Sequence, residues 1–364
     1  MARVQFLLPS VTASGGVFSV LRHAAGLTQA GYDVALVSMT PPDPGVGDVL
    51  PGVVRTLPVA QLDPEGLPAA DVQVATHFTT VPVVAQARAQ LKVHFMQHME
   101  EIFAVDEPDP ASFAEAARYC YRLPLYRLAN SRWVQAQYER LYGSRPMLVH
   151  NGVDAPDEGP LPAWADGPPV VISFAHTFLW KGTAEAYRTM ELVRAAVPDL
   201  DVQWHVFGTA ARVPEQPWIH RLGTVPHDRL RQAYQRAQVM LAVSWAESFH
   251  LPVLEAMAAG TAVVTQPIGT EEFARGGDTA WVVPPRDVDA AARAVVQVLA
   301  GGAAASHDLR LRARAEAARH TWERATAQMR QALVHGLSAW RPPAAQDAVP
   351  RILERLGVPP TTAQ

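Results

Sequence analysis

The sequence predicts an α/β protein with two doubly wound parallel sheets. Short β-branched segments alternate with longer segments of helical periodicity along the chain, which is typical of parallel strands connected by helices. The alternation is interrupted at residues 151–169, where proline, glycine and aspartate concentrate. A chain of 364 residues is long enough for two domains of roughly 150 residues each. We therefore expect two such domains that face each other across a cleft.

The first domain is predicted to cover residues 1–150. Its strands are expected at residues 4–8, 33–38, 72–76 and 91–96, because these runs are rich in β-branched and apolar side chains. The segment 17–30 has apolar residues at helical spacing and ends before Gly31, a residue type that commonly terminates helices. The first apolar run is too short for the core of a signal peptide, so we interpret it as a strand.

The second domain is predicted to cover residues 151–319. Strands are expected at 170–174, 202–207, 239–243 and 262–265, and helices at 181–196, 228–236 and 252–259. A long helical pattern covers residues 308–339, and its part from 320 to 339 is expected to cross back to the first domain. The Pro- and Ala-rich residues 340–364 are expected to form a mobile tail.

The composition limits the classes of function. Charged residues make up 18% of the chain and the formal net charge is -4, whereas a protein that neutralises nucleic-acid phosphates is more basic. Nucleic acid is therefore not an expected partner. The single cysteine, Cys120, excludes an internal disulfide framework and a four-thiolate zinc site, and it favours a reducing, cytoplasmic compartment. No run of apolar residues is long enough for us to expect a membrane-spanning helix.

Ligands of doubly wound sheets bind at the carboxyl ends of the strands, where loops meet the first turns of helices. Such a loop contains Glu247, and Glu255 lies in the helix that follows it; Pro252 suits the start of that helix and Gly260 its end. Free backbone amides at a helix start favour a diphosphate, and carboxylates accept hydrogen bonds from sugar hydroxyls. A helix-capping glutamate and a solvated loop glutamate explain the same two residues.

The motif around these glutamates is specific. Seven residues separate Glu247 from Glu255, and the sequence continues as Ala-Met-Ala-Ala-Gly-Thr-Ala-Val-Val-Thr. Together with Asn-Gly-Val-Asp at 151–154 and the segment 276–287, it resembles the retaining, nucleotide-sugar-dependent glycosyltransferases of the large family 4 type, which includes bacterial mannosyl-, glucosyl- and rhamnosyltransferases. The resemblance covers residues 1–330 and is strongest in 170–300. It implies the GT-B architecture, in which two Rossmann-like domains face each other.

The resemblance also implies roles for individual residues. In this family the second glutamate, here Glu255, hydrogen-bonds the ribose hydroxyls of the nucleotide. The first glutamate, here Glu247, faces the transferred sugar. Lys181 stands in a Lys-Gly sequence that contacts the diphosphate in the family, and it is one of only two lysines in the chain. From the residues alone, Lys181 is also explained as an ordinary surface lysine.

Two histidines depart from the family pattern. His176 occupies the position of an arginine that assists the lysine, and an imidazole does not guarantee a second positive charge. His250 stands where a glycine is usual, between Phe249 and Leu251, and the backbone amides of this stretch are expected to contact the diphosphate. His250 either reaches the phosphates or the sugar, or it packs against an interdomain surface.

The first domain contributes three further candidates. Gly15 and Gly16 follow the first strand and allow a ligand to approach the backbone closely, although a tight turn explains them equally well. The resemblance implies that this loop approaches the diphosphate and the acceptor, and that a histidine, for which His98 is our candidate, lies near the transferred sugar. His94 is four residues from His98 but lies in a predicted strand, so a metal-binding pair is not expected. We expect no metal and no cofactor, because the nucleotide diphosphate sugar is a co-substrate.

The most basic and aromatic stretch covers residues 118–133. It contains Arg118, Arg122, Arg127 and Arg132 together with Tyr119, Tyr121, Tyr126 and Trp133. This composition is typical of a peripheral membrane contact or a grip on a lipid-linked acceptor. It is also typical of a solvated helix face above an aromatic core stripe. We expect a cytoplasmic protein and keep contact with the inner face of the membrane as an alternative.

These features predict an enzyme that transfers a hexosyl or deoxyhexosyl group from a nucleotide diphosphate sugar to an acceptor hydroxyl, with retention of anomeric configuration and without a metal. The expected acceptor is a carbohydrate, a lipid-linked saccharide or a small molecule, in bacterial polysaccharide, glycolipid or glycoside biosynthesis. Two alternatives stay open: a non-catalytic, glycosyltransferase-like nucleotide-binding subunit, and a GT-B-fold sugar-nucleotide epimerase. The sequence specifies neither the base and sugar of the donor nor the oligomeric state.

Overall fold

The computed structural model of the protein describes residues 2–11, 14–39, 55–58, 64–164, 166–209 and 213–341. The chain divides into two compact units. Unit 1 contains the residues up to Gly152 together with those from Trp322 onward, and unit 2 covers Val153–Thr321. The tail predicted at 340–364 lies, from residue 342 on, outside the described residues.

Unit 1 is built on a parallel sheet. Its strands are β1 (Arg3–Leu7), β2 (Asp33–Ser38), β3 (Arg55–Pro58), β4 (Val72–Ala75), β5 (Leu91–Met96), β6 (Tyr126–Ala129) and β7 (Met147–Leu148). They lie in the order β3-β2-β1-β4-β5-β6-β7 and every described pairing is parallel. The helices between them are α1 (Gly15–Gln29), α2 (Val81–Gln86), α3 (Pro110–Arg122) and α4 (Arg132–Tyr142). Serine side chains start two of these helices, because Ser14 caps α1 and Ser131 caps α4 by accepting backbone amides of the first turn.

Unit 2 repeats this organisation. Its strands are β8 (Val170–Ala175), β9 (Gln203–Gly208), β10 (Ile219–Gly223), β11 (Val239–Ala242), β12 (Ala262–Thr265) and β13 (Trp281–Val282). Its helices are α5 (Thr183–Ala196), α6 (His227–Arg236), α7 (Leu251–Ala258) and α8 (Val288–Ala317). The strand order is β10-β9-β8-β11-β12-β13, all parallel. The topological switch point therefore lies between β8 and β11, where ligands of such sheets bind.

The long helical pattern at 308–339 is two helices, contrary to the single segment that the periodicity predicts. Helix α8 ends at Ala317, and α9 (Trp322–Ala339) begins five residues later and belongs to unit 1. Met329, Ala332 and Leu333 of α9 join the apolar core between β1 and α1. The helices approach closely, because a side chain at Gly26 of α1 would meet Thr326. This contact requires glycine on α1.

One described helix, α8, is long and apolar enough to cross a membrane by length and composition alone. Core helices have the same properties. Its backbone is not helical at Gly302, where φ is 68° and ψ is -174°. The part before this break packs Ala291, Val295 and Val298 into the core of unit 2, so we interpret α8 as a core helix.

The predicted α/β class with two doubly wound parallel sheets is confirmed. The predictions omitted β3, β6, β7, β10 and β13. Four of these are edge strands and the fifth, β6, is the neighbour of one; all have two to five residues, too few for a clear alternation. The omitted β6 contains Arg127, a charged residue that the sequence places on a surface but the structure buries.

Candidate active site

The loop after β8 places Lys181 at the switch point. Residues Leu179–Lys181 form one turn of 3-10 helix, and α5 begins only at Thr183, so Lys181 does not open the helix as predicted. Gly182 between them has a φ of +68°, and a Cβ there would lie 2.3 Å from the carbonyl oxygen of Val243. Only glycine combines this backbone conformation with so close an approach. Gly182 thereby holds the Lys181 turn against the loop that follows β11.

That second loop, residues 243–250, carries Glu247 to the same place. The Nζ of Lys181 donates to both carboxylate oxygens of Glu247, at 2.7 and 2.9 Å. Both side chains are largely buried, and Nζ also lies 4.2 Å from the ring centre of Trp180. A cation that is shared between a carboxylate and an aromatic face is positioned before any ligand arrives.

The electrostatics of Glu247 reflect this pairing. Burial by itself raises the pKa of the carboxyl, but the charge and hydrogen bonds of Lys181, with a hydrogen bond from Ser244, outweigh it and leave the pKa below its ordinary value. Glu247 is therefore ionised at neutral pH. A buried carboxylate of this kind is costly unless it stays paired.

His250 completes this buried group. Its Nε2 lies 3.8 Å from Oε1 of Glu247, and its side chain is 4% exposed. Neither ring nitrogen has a hydrogen-bond partner among the described residues. Burial lowers the pKa of His250 to about 4; the charge of Glu247 opposes this and that of Lys181 adds to it. The imidazole is accordingly neutral at pH 7.

The loop after β12 packs against Glu247, a contact that the sequence does not predict. A Cβ at Gly269, whose φ is +66°, would lie 2.6 Å from Cβ of Glu247, and the carbonyl of Gly269 accepts the amide of His250 at 2.8 Å. Glu271 of this loop has a pKa that burial raises, although nearby backbone amides lower it. The sequence Gln-Pro-Ile-Gly-Thr-Glu directly after a strand is the signal that identifies such a loop.

The predicted amide contacts have partners within the protein. The amide of His250 is bound to Gly269, and that of Leu251 donates to the carbonyl of Phe249 at 3.0 Å. Phe249 itself is buried and packs against Phe273 at 5.4 Å between ring centres. Phe249 and Leu251 both belong to the apolar cluster around α7.

Glu255 lies in a different set of contacts of unit 2. It is the fifth residue of α7, beyond the first turn, and its Oε2 accepts the hydroxyl hydrogen of Tyr234 at 3.2 Å. Burial and the carboxylate of Glu255 raise the pKa of Tyr234 well above its ordinary value, so the phenol stays protonated. Glu255 lines a shallow groove between α6, α7 and residues 153–156, which also contains the pair His227–Asp154, 2.7 Å apart.

His176 lies in the loop after β8 but is turned toward its own loop. Its Nδ1 accepts the amide of Phe178 at 3.1 Å, and its ring lies 4.4 Å from that of Phe178. The backbone amide of His176 donates to Thr183 Oγ1 at 3.2 Å. His176 thus fastens the β8 loop to the start of α5.

The candidates of unit 1 lie at the carboxyl edge of its sheet. Gly15 and Gly16 are the first residues of α1, and a Cβ at Gly16 would lie 3.7 Å from the side chain of Gln97, the residue after β5. His98 follows, with its ring 3.8 Å from that of Phe103. The loops after β1 and β5 therefore meet. His94 is buried inside β5 and accepts a hydrogen bond from Arg127 at 2.9 Å.

The basic and aromatic stretch does not form one surface. Arg127 and Tyr121 are buried, and Arg127 donates to the backbone carbonyls of Cys120, Tyr121 and Leu123. Arg118 is on the surface and pairs with Glu101 at 2.9 Å. Within the described ranges no three His, Cys, Asp or Glu side chains form a group that could hold a metal ion.

Comparison with known proteins identifies similar sequences and similar structures. Residues 168–301 match the family model described as glycosyl transferases group 1. A segment of 128 residues, 35% of this chain, is 34% identical to O-antigen chain mannosyltransferase B from Escherichia coli, of which it covers 32%. The chain thus spans about a third of the length of this curated relative.

Solved structures resemble the chain over almost its whole length. Sucrose-phosphate synthase from Thermosynechococcus elongatus has a TM-score of 0.75 and 18% identity, covering 93% of this chain and 100% of its own. HepE from Anabaena in complex with UDP-glucose has a TM-score of 0.74 and 16% identity, covering 92% and 100%. The fold is that of the GT-B glycosyltransferases. The segment 168–301, which lies in unit 2, is the part of the chain that is similar to the glycosyl transferases group 1 model.

Proposed function

We propose that the protein is a retaining glycosyltransferase that moves a hexosyl or deoxyhexosyl group from a nucleotide diphosphate sugar to an acceptor hydroxyl. The observation that carries the proposal is the buried pair of Lys181 and Glu247 at the switch point of unit 2. A cation for the diphosphate and a carboxylate for the sugar stand side by side, where doubly wound sheets bind their ligands.

Lys181 is the group that would receive the diphosphate. Its Nζ would exchange the carboxylate of Glu247 for phosphate oxygens, and its positive charge would stabilise the leaving nucleoside diphosphate as the anomeric C–O bond breaks. Preorganised charges of this kind contribute most where water is excluded. We propose that neither a metal nor a further cofactor is needed, because Lys181 neutralises the leaving group.

Glu247 would then face the transferred sugar. Once it is released from Lys181, the carboxylate can accept sugar hydroxyls and stabilise the positive charge that develops at the anomeric carbon. The acceptor oxygen forms the new bond on the face from which the diphosphate leaves, and its proton passes to the leaving phosphate oxygen. Positioning by fixed groups accounts for such catalysis without a strong base.

Glu255 would bind the nucleoside. Its carboxylate already accepts one hydroxyl, that of Tyr234, in a groove on unit 2. Ribose hydroxyls can use the remaining lone pairs of the carboxylate. The identity of the nucleotide base would be selected in the same groove, where His227 pairs with Asp154.

The acceptor would bind to unit 1, where Gly16 and His98 lie at the carboxyl edge of the sheet. The relatives support a saccharide: the curated one is named as an O-antigen chain mannosyltransferase, and HepE is described with UDP-glucose. We propose a role in cell-surface polysaccharide or glycolipid synthesis, at the cytoplasmic side of the membrane.

Incubation with UDP-glucose, GDP-mannose and TDP-rhamnose, without acceptor and then with candidate saccharides, tests the proposal. Nucleoside diphosphate release and a product of unchanged anomeric configuration by NMR are the expected results. No turnover of any donor, with nucleotide binding intact, would favour a non-catalytic subunit. Release of free sugar with altered ring stereochemistry would favour an epimerase.

A further inference from the structure

His250 is 3% exposed, and neither Nδ1 nor Nε2 of its imidazole has a hydrogen-bond partner among the described residues. A neutral imidazole always carries one N–H, so at least one buried donor is unsatisfied, which is unfavourable. A functional role in another state of the protein is one explanation for such a group.

The carboxylate of Glu247 lies close to this imidazole. Its Oε1 is 3.8 Å from Nε2 of His250, beyond a hydrogen bond but within reach of a small ring movement. His250 and Lys181 border a common pocket below the loops. In the free protein both oxygens of Glu247 accept hydrogen bonds from Lys181.

The charged surroundings of His250 are few. Glu247 faces it from its own loop and Lys181 from the turn after β8. Three apolar side chains line the pocket that His250 and Lys181 border: Phe174 of β8, Ala242 of β11 and Ala186 of α5. None of them is titratable. The loop after β12 contributes the carbonyl of Gly269 and carries Glu271 two residues on.

This inference rests on the proposed function, in which a diphosphate draws Lys181 away from Glu247. The carboxylate would then be buried without a cation, which is strongly unfavourable. We propose that His250 replaces Lys181 as the partner of Glu247 when the nucleotide diphosphate binds, and that it takes up a proton from solvent to do so. His250 is a positioning residue in this scheme, since it acts through Glu247.

The exchange makes donor binding consume a proton. In the free protein His250 is neutral at pH 7, because burial and Lys181 hold its pKa near 4. In the complex the positive neighbour has left and two negative groups remain, so the pKa rises. Binding should take up about one proton per nucleotide, and affinity should rise as pH falls, by about tenfold per pH unit at most.

The experiment is calorimetric titration with UDP, GDP, ADP and TDP, followed by titration of the tightest binder in Tris and in PIPES, whose ionisation enthalpies differ. Wild type is compared with His250→Gln, which keeps a polar group but cannot accept a proton in this range, and with His250→Gly. Subtracting the variant cancels protons that the phosphate itself gains or loses. We expect close to one more proton for wild type, and a flatter pH profile in both variants.

A second readout uses wild type alone, so the test survives if a variant fails to fold. With ¹³C-labelled histidine, one ring signal that is neutral in the free protein at pH 7 should move to the imidazolium position on nucleotide addition. Glu247→Gln should abolish both the shift and the extra proton, because the charge that drives uptake is gone.

The outcomes separate the two proposals. If no nucleotide binds, the proposed function fails. If a nucleotide binds with equal proton numbers in wild type and His250→Gln, or if no histidine signal shifts, the partner exchange is wrong while the donor site stands. Proton uptake that persists in His250→Gln would place the titrating group elsewhere, with Glu271 the first to be tested.

Discussion

The two units bury charged groups in different ways. In unit 1, Arg127 donates to three backbone carbonyls, to His94 and to the hydroxyl of Tyr138, and Glu100 accepts from Tyr121 and from the amide of Phe78. In unit 2, Lys181 and Glu247 pair beside His250, whose two ring nitrogens have no hydrogen-bond partner in the part of the chain that the structure describes.

The difference indicates separate purposes. A buried charge with all of its hydrogen bonds made within the protein stabilises the fold around it and needs no ligand. A buried pair that leaves an adjacent polar group unsatisfied is complete only in another state. We therefore read the unit 1 network as structural and the unit 2 group as a ligand site, and each prediction below tests that distinction.

The largest effect is expected for Arg127→Met. The substitution removes the guanidinium hydrogen bonds to the carbonyls of Cys120, Tyr121 and Leu123, to His94 and to the hydroxyl of Tyr138. It should lower the free energy of unfolding by roughly 3–5 kcal/mol, because each bond to a charged group contributes to stability. Urea unfolding measures it, with Arg122→Met on the exposed side of α3 as the matched control. An unchanged unfolding midpoint in Arg127→Met would remove the structural reading of the unit 1 network.

Lys181→Ala should act on turnover instead. Loss of the cation at the leaving group is expected to reduce the rate by roughly 100- to 1,000-fold, with far less change in unfolding than Arg127→Met. Steady-state release of nucleoside diphosphate checks the rate. Arg188→Ala, a cation on the exposed face of α5, is the control that should keep its activity. Full turnover in Lys181→Ala would contradict the assignment.

Glu255→Ala should weaken nucleotide binding by roughly 10- to 100-fold, because charge-assisted hydrogen bonds to the ribose hydroxyls are lost. Calorimetry with the preferred nucleotide measures this. Inorganic pyrophosphate, which has no ribose, provides the contrast and should bind wild type and variant alike. Equal nucleotide affinities would show that the groove between α6 and α7 does not hold the nucleoside.

A smaller effect, the pH dependence of the free energy of unfolding, distinguishes two buried histidines. Burial lowers the pKa of His23 in unit 1 and of His250 in unit 2 from 6.5 to about 4. Because the folded-state pKa lies below the unfolded one, each contributes stability that is present above pH 6.5 and is lost as pH falls from 6.5 toward 4. The loss between pH 7 and pH 5 should be about 1–2 kcal/mol for each histidine.

Unfolding of wild type, His23→Gln and His250→Gln at pH 7 and pH 5 measures these contributions. Each variant should show a smaller loss than wild type. With saturating nucleotide, the His250 contribution should disappear while that of His23 remains. If nucleotide leaves both contributions unchanged, the distinction between the units does not extend to their histidines.

The sequence predicts the centre of each sheet better than its edges. β1, β2, β4 and β5 of unit 1 are mostly apolar and almost entirely buried, because parallel strands covered on both faces have no solvent-facing side. The edge strand β10 carries polar residues and the edge strand β13 has only two residues, so their patterns are weak. No proline or glycine lies between α8 and α9, so the sequence has no signal that predicts the break.

The sequence proposes individual residues for the site but not their arrangement. The motif identifies Lys181, Glu247 and Glu255, yet it expects Lys181 and Glu247 to face different parts of a donor. Their direct pairing, and the contact of Gly269 behind Glu247, arise from the order of β8, β11 and β12 in the sheet, which no local pattern encodes.

The most direct test of the account is calorimetric titration of wild type, Lys181→Ala and Arg188→Ala with UDP, GDP, ADP and TDP. We predict that one nucleotide binds wild type and Arg188→Ala alike, and that Lys181→Ala binds it at least tenfold more weakly. Equal affinity of all three proteins, or binding of none of the nucleotides at millimolar concentration, would contradict the claim that the buried pair in unit 2 is the donor diphosphate site.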